Sequence, residues 1–147
     1  MKDVVISVKG TQQVDGQDDV VEMKAVGKME KINGKTYLRY DDSVMLGVEG
    51  VKTTVKIQGN EMVALQRSGG LQSRLMIEKG QRHLCHYQTE NGNITIGVFG
   101  ESIINDLNDY GGEISMSYTI DVNLSMISRN EIKITVKEVE KDVNTCS

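Results

Sequence analysis

Apolar and polar side chains alternate one by one along much of this chain. From Glu113 to Leu124 the alternation is strict: Ile114, Met116, Tyr118, Ile120, Val122 and Leu124 fall on one face, and Glu113, Ser115, Ser117, Thr119, Asp121 and Asn123 on the other. Side chains of a strand point to opposite faces in turn, so this pattern reads as a long strand with one wet face. The same period recurs at Val51, Thr53, Val55 and Ile57, and at Ile132, Ile134 and Val136. A helix, with its period of 3.6, does not produce it.

Dipeptides that accept positive φ separate these runs: Asn33-Gly34, Gly59-Asn60, Gly69-Gly70, Lys79-Gly80, Asn91-Gly92 and Gly111-Gly112. Asn-Gly between alternating apolar residues is the strongest local signal for a hairpin. The pattern predicts ten strands, near residues 2–9, 19–31, 35–41, 51–58, 61–67, 71–78, 82–89, 93–99, 113–124 and 130–139. It also predicts one short helix near 101–108, capped by Ser102, with Ile103, Ile104 and Leu107 on one side. Hairpin-linked strands must bury their apolar face, and closing into a ring also removes exposed edges. The expected fold is therefore all-β: a single antiparallel up-and-down barrel of about eight to ten strands over residues 1–139, followed by a tail at 140–147. A barrel of that size is either filled by side chains or able to hold one small ligand.

Composition narrows the function classes. The chain has 147 residues, a formal net charge of −4, two cysteines, no Trp and no Pro. The acidic balance argues against nucleic-acid binding, which requires clustered Lys and Arg. No apolar run approaches the roughly 20 residues that span a bilayer as a helix, and the N-terminus lacks a signal-peptide pattern, so the chain reads as cytoplasmic with no membrane partner. Cys85 and Cys146 do not make a disulfide framework.

The segments Lys35-Thr36-Tyr37-Leu38-Arg39-Tyr40, Met62 to Gly69, Tyr87-Gln88-Thr89-Glu90-Asn91-Gly92 and Ile114-Ser115-Met116-Ser117-Tyr118 resemble the YwiB-like family of bacterial proteins, and the resemblance runs from about Val5 to Val139. It implies a calycin-like, or lipocalin-like, β-barrel. The family is of unknown function, so the resemblance implies no catalytic or binding residue. The Trp common near the first strand of calycins is missing from this sequence.

Candidate chemistry comes from a few side chains. Arg67 shares a strand face with Val63 and Leu65 and would bring a fixed charge to the mouth of the barrel, suited to a carboxylate or phosphate. The structural alternative is an Arg paired within the fold. Tyr40, Tyr87 and Tyr118 fall on inferred apolar faces, where they would either line a pocket or fill the core. His83-Leu84-Cys85-His86 is the one cluster with soft ligands, yet only His83 and Cys85 share a face, one ligand short of the minimum for zinc. The same pair read as nucleophile and base lacks an oxyanion hole. No catalytic residue and no cofactor motif emerges. The leading expectation is a non-enzymatic barrel that binds a small apolar or anionic amphipathic ligand. The alternative is a solid barrel acting through an outer surface or a homodimer interface, for which the apolar run Val44-Met45-Leu46-Gly47-Val48 is the candidate.

Overall fold

The computed structural model describes residues 2–41, 50–69, 73–89 and 92–139, the side chains of residues 87–89 excepted. The candidate interface at Val44–Val48, Cys146 and the tail at 140–147 lie outside the described residues.

Among the described residues, ten antiparallel strands form one closed barrel. They are β1 (Lys2–Val14), β2 (Gln17–Ile32), β3 (Lys35–Asp41), β4 (Lys52–Gln58), β5 (Met62–Ser68), β6 (Ser73–Glu78), β7 (Arg82–Thr89), β8 (Gly92–Asn108), β9 (Gly111–Val122) and β10 (Ser125–Glu138). Each strand pairs with its neighbours in sequence, and β1 closes the ring on β10 from Val4 opposite Glu138 to Gln13 opposite Arg129. The inward phase of every strand feeds one continuous core, including Val4, Ile6, Leu38, Val55, Ile57, Val63, Ile77, Val98, Met116, Ile134 and Val136.

The ten-strand, up-and-down reading agrees with the structure; the helix at 101–108 does not. That segment belongs to β8. A register shift between Gly100 and Ser102 against β9 leaves Glu101 as an extra residue, and such a bulge switches which side chains point inward. Ile96 and Val98 are buried before it and Ile103 after it, while Ile104 is exposed. Past the bulge the inward phase is Ile103, Asn105 and Leu107, so a polar inward residue at 105 and an exposed apolar residue at 104 give 103, 104 and 107 the spacing of a helix face. β1 and β2 also extend farther than expected, because their pairing continues through polar residues to the turn at Asp15-Gly16.

Gly111-Gly112 does not form a turn either: both glycines begin β9, after a turn at Asp109-Tyr110. Their φ values are +129° and +117°, and an added Cβ would lie 2.2 Å from the Val136 carbonyl oxygen at Gly111 and 2.3 Å from that of Asp106 at Gly112. Only glycine allows the neighbouring backbones this close.

The end of the barrel that carries the β2–β3, β4–β5, β6–β7 and β8–β9 turns is laced shut by hydrogen bonds. The Asn105 amide N–H donates to Asn60 Oδ1 (2.8 Å), and Asn105 Nδ2 donates to the Gly59 carbonyl (3.1 Å). The Lys79 N–H donates to the Glu61 carbonyl (2.9 Å), and the Gly80 N–H to that of Gly100 (2.9 Å). These bonds tie β8 to the β4–β5 and β6–β7 turns, and those two turns to each other.

On the outer wall, Arg82 of β7 reaches over Gly97 of β8 to Asp121 of β9. It donates from Nε to Oδ2 (2.9 Å) and from Nη2 to Oδ1 (2.6 Å), a forked pair that a side chain at position 97 would displace. The Arg82 guanidinium holds the Asp121 carboxyl below the usual carboxylate range, and the Leu124 amide adds to this.

Two predictions follow from these contacts. Gly112→Ala should cost at least about 2 kcal/mol in urea unfolding, through strain and collision, whereas Gly16→Ala, with open space around it, should cost about 1 kcal/mol from conformation alone. Asp121 is more acidic folded than unfolded, so its contribution is fully present above about pH 4 and is lost as pH falls below that. Unfolding curves between about pH 5 and 2.5 should accordingly be flatter in pH for Asp121→Asn than for the parent.

Candidate functional site

Inward-facing positions become polar toward the end opposite the laced one. Arg67 is the penultimate residue of β5, in phase with the buried Val63 and Leu65, and is half-buried. The register places it between Thr53 of β4 and Ser73 of β6, with Tyr40 of β3 opposite Thr53 and Tyr87 of β7 opposite Ser73. Five consecutive strands therefore contribute Tyr40, Thr53, Arg67, Ser73 and Tyr87 to one row of rungs. Tyr40 and Thr53 are buried. Opposite residues in neighbouring antiparallel strands are about 5 Å apart, close enough for their side chains to interact.

Three of the four candidate residues, Tyr40, Arg67 and Tyr87, share this row. Tyr118 sits elsewhere, on β9 opposite Asn130 of β10. There Asn130 Nδ2 donates to Ser128 Oγ (3.0 Å), and all three side chains are buried. Tyr40, Thr53, Arg67 and Tyr118 each already make an interaction within the fold, so the row is part of the barrel's own polar structure. A guanidinium has five N–H donors in a planar fork and can serve more than one acceptor.

Thr53, Ser73, Ser128 and Asn130 were not singled out from the sequence. Ser128 and Asn130 continue the inward phase of Ile132, Ile134 and Val136, so polar residues entering an apolar phase were the available signal. Thr53 carried a weaker one, a hydroxyl between Val51 and Val55.

His83 and Cys85 share a face of β7 but not a partner. His83 Nε2 lies 2.7 Å from Glu78 Oε1, and the Met76 N–H donates to Cys85 Sγ at 3.4 Å. Both contacts bridge β6 and β7, where strand pairing among the described residues is reduced to Ser73 opposite Tyr87, with an isolated bridge from Glu78 to Gln81 beyond the strand, so these side chains stitch a thin seam of the ring. Burial pushes the Cys85 thiol up, against weaker downward pulls from the Met76 amide and the Arg74 charge. It is a neutral packing group and not an activated nucleophile. Among the described residues no three His, Cys, Asp or Glu side chains converge as a metal site.

Together the ring and its polar inner row define an antiparallel up-and-down β-barrel protein that fits the calycin-like architecture. The chain belongs to the family described as a domain of unknown function, DUF1934, which it matches over residues 6–134. It is 29% identical over 119 residues to the uncharacterized beta-barrel protein YwiB of Bacillus subtilis (strain 168), across 81% of this chain and 82% of that relative. The crystal structure of the ywiB protein from Bacillus subtilis has the same fold, with a TM-score of 0.80 at 24% identity, covering 95% of this chain and 93% of that one. The YwiB-like resemblance and the barrel it implied are both established by these matches.

The state of Cys85 has a measurable consequence. In a Cys146→Ser background, iodoacetamide should alkylate Cys85 at pH 8 at least about tenfold more slowly in the native protein than in denaturant. Equal rates would contradict burial of the thiol.

Proposed function

We propose that this protein is a non-enzymatic binding barrel whose ligand is small, carries a carboxylate or phosphate, and has an apolar portion. The observation that carries this reading is the inner row, which sets Arg67 between two hydroxyl side chains on the inward face near one end of the ring. A fixed positive charge in a partly dry setting, flanked by donors, favours an anion. The middle of the barrel is occupied by the protein's own aliphatic core, so the ligand sits at the end and does not run through the ring. Two side chains in the inward phase near this end, Val21 at 48% exposure and Ile94 at 50%, offer apolar contact to the rest of the molecule.

Native mass spectrometry of gently purified protein, compared with its denatured mass, should show an additional mass that is lost on denaturation. Calorimetric titration with decanoate should then show binding that decanol and inorganic phosphate do not match, and that Arg67→Ala weakens at least about tenfold, the loss of one charge-assisted contact. Tyr40→Phe, which keeps the ring, serves as the milder variant where Arg67→Ala unfolds the protein. Decanoate binding that is absent, or indifferent to both substitutions, would overturn the proposal.

A further inference from the structure

The inward phase of β10 runs through Val136, Ile134 and Ile132 and then changes chemistry at Asn130 and Ser128. Asn130 is 5% exposed and Ser128 2%, so both polar side chains are taken out of water. Their side-chain bond is to each other, from Asn130 Nδ2 to Ser128 Oγ. An Asn amide has two donor hydrogens and an acceptor oxygen, and a Ser hydroxyl has a donor besides its lone pairs. Among the described residues no partner takes up the Asn130 oxygen, its second amide hydrogen or the Ser128 hydroxyl hydrogen. Turning the amide over exchanges donor for acceptor and leaves a surplus of both kinds.

Buried polar groups short of partners are destabilising, and folded proteins keep few of them. Ile132, Ile134 and Val136 show what β10 places in this phase when packing alone is at stake. The position of the pair points to a use. In the ring β10 is five strands from β5 in either direction, so Ser128 and Asn130 stand on the wall opposite Arg67. They occupy the half of β10 nearer the β9–β10 turn, and Arg67 is next to last in β5, so both lie away from the laced end. Ten strands about 4.8 Å apart make a ring roughly 15 Å or more across. An Arg and an Asn side chain do not meet over that width.

We propose that Ser128 and Asn130 form a second contact for the ligand of this barrel, and that they take a hydroxyl carried at the far end of the molecule from its anionic group. The inference rests on the reading of Arg67 as the partner of that anion. A hydroxyl both donates and accepts, which matches an amide and a hydroxyl with spare capacity of both kinds. A second anion would face the amide oxygen with no fixed positive charge on this pair, and a plain alkyl end would leave the pair unsatisfied. The ligand class is therefore an ω-hydroxylated carboxylate or phosphate with an apolar middle.

Calorimetric titration of the full chain with alkanoates of six, eight, ten and twelve carbons, each beside its ω-hydroxy counterpart, tests this. At the length that spans the ring, the hydroxyl should tighten binding at least about fivefold, the gain from one satisfied hydrogen bond, whereas in a purely apolar pocket it weakens binding. Asn130→Leu should abolish that preference and leave affinity for the unsubstituted alkanoate within about twofold. A merely structural role would lower both affinities together, and that result would overturn the inference. Ser128→Ala, the milder change, gives the same readout where Asn130→Leu does not fold. Alkanoate binding with no gain from the hydroxyl at any length, or a gain that both substitutions leave intact, overturns this inference and leaves the reading of Arg67 standing. If neither series binds, both fall.

Discussion

The rest of the structure depends on closure of the ring. A meander of ten strands leaves its first and last strands with unpaired N–H and C=O groups, and pairing β1 with β10 satisfies them. Closure also turns every apolar face toward one volume. Residues spread over the described chain, from Val4 to Val136, thereby become a single core. The ring is not uniform: β6 and β7 share little ladder, and the Glu78–His83 and Met76–Cys85 contacts supply side-chain links across the gap.

The two ends of the barrel differ in chemistry. One is tied by backbone and asparagine hydrogen bonds between turns and β8. Toward the other, the inward phase changes from aliphatic side chains to the Tyr40–Thr53–Arg67–Ser73 row and the Ser128–Asn130 pair. Buried polar groups are retained when they are satisfied or used. The outer wall repeats the same economy: the Arg82–Asp121 fork costs a glycine at position 97 and in return fixes the β9–β10 turn.

Much of this was legible from period-two alternation alone, because a strand with one buried face leaves that pattern directly in the sequence. Strand number, order and antiparallel pairing came from it and from Asn-Gly punctuation. The helix at 101–108 misled for a definite reason: past the bulge in β8 an inward polar residue, Asn105, and an outward apolar one, Ile104, break the alternation and leave 103, 104 and 107 at a helical spacing. Gly111-Gly112 misled because close backbone approach and a tight turn both call for glycine, and sequence does not distinguish them. Of the candidate site, the inward phase of Arg67 and Tyr40 was readable from their neighbours. Their meeting with Tyr87 in one row was not, because register across five strands depends on turn lengths and closure.

The proposed ligand site is the polar inner row. It is tested most directly by amide NMR of the isotopically labelled protein during titration with decanoate. The account predicts saturable shifts at Tyr40, Thr53, Arg67 and Ser73, with Asn60, Lys79 and Asn105 at the laced end unmoved. Shifts that are absent, or that fall at the laced end or on the outer wall, would contradict it.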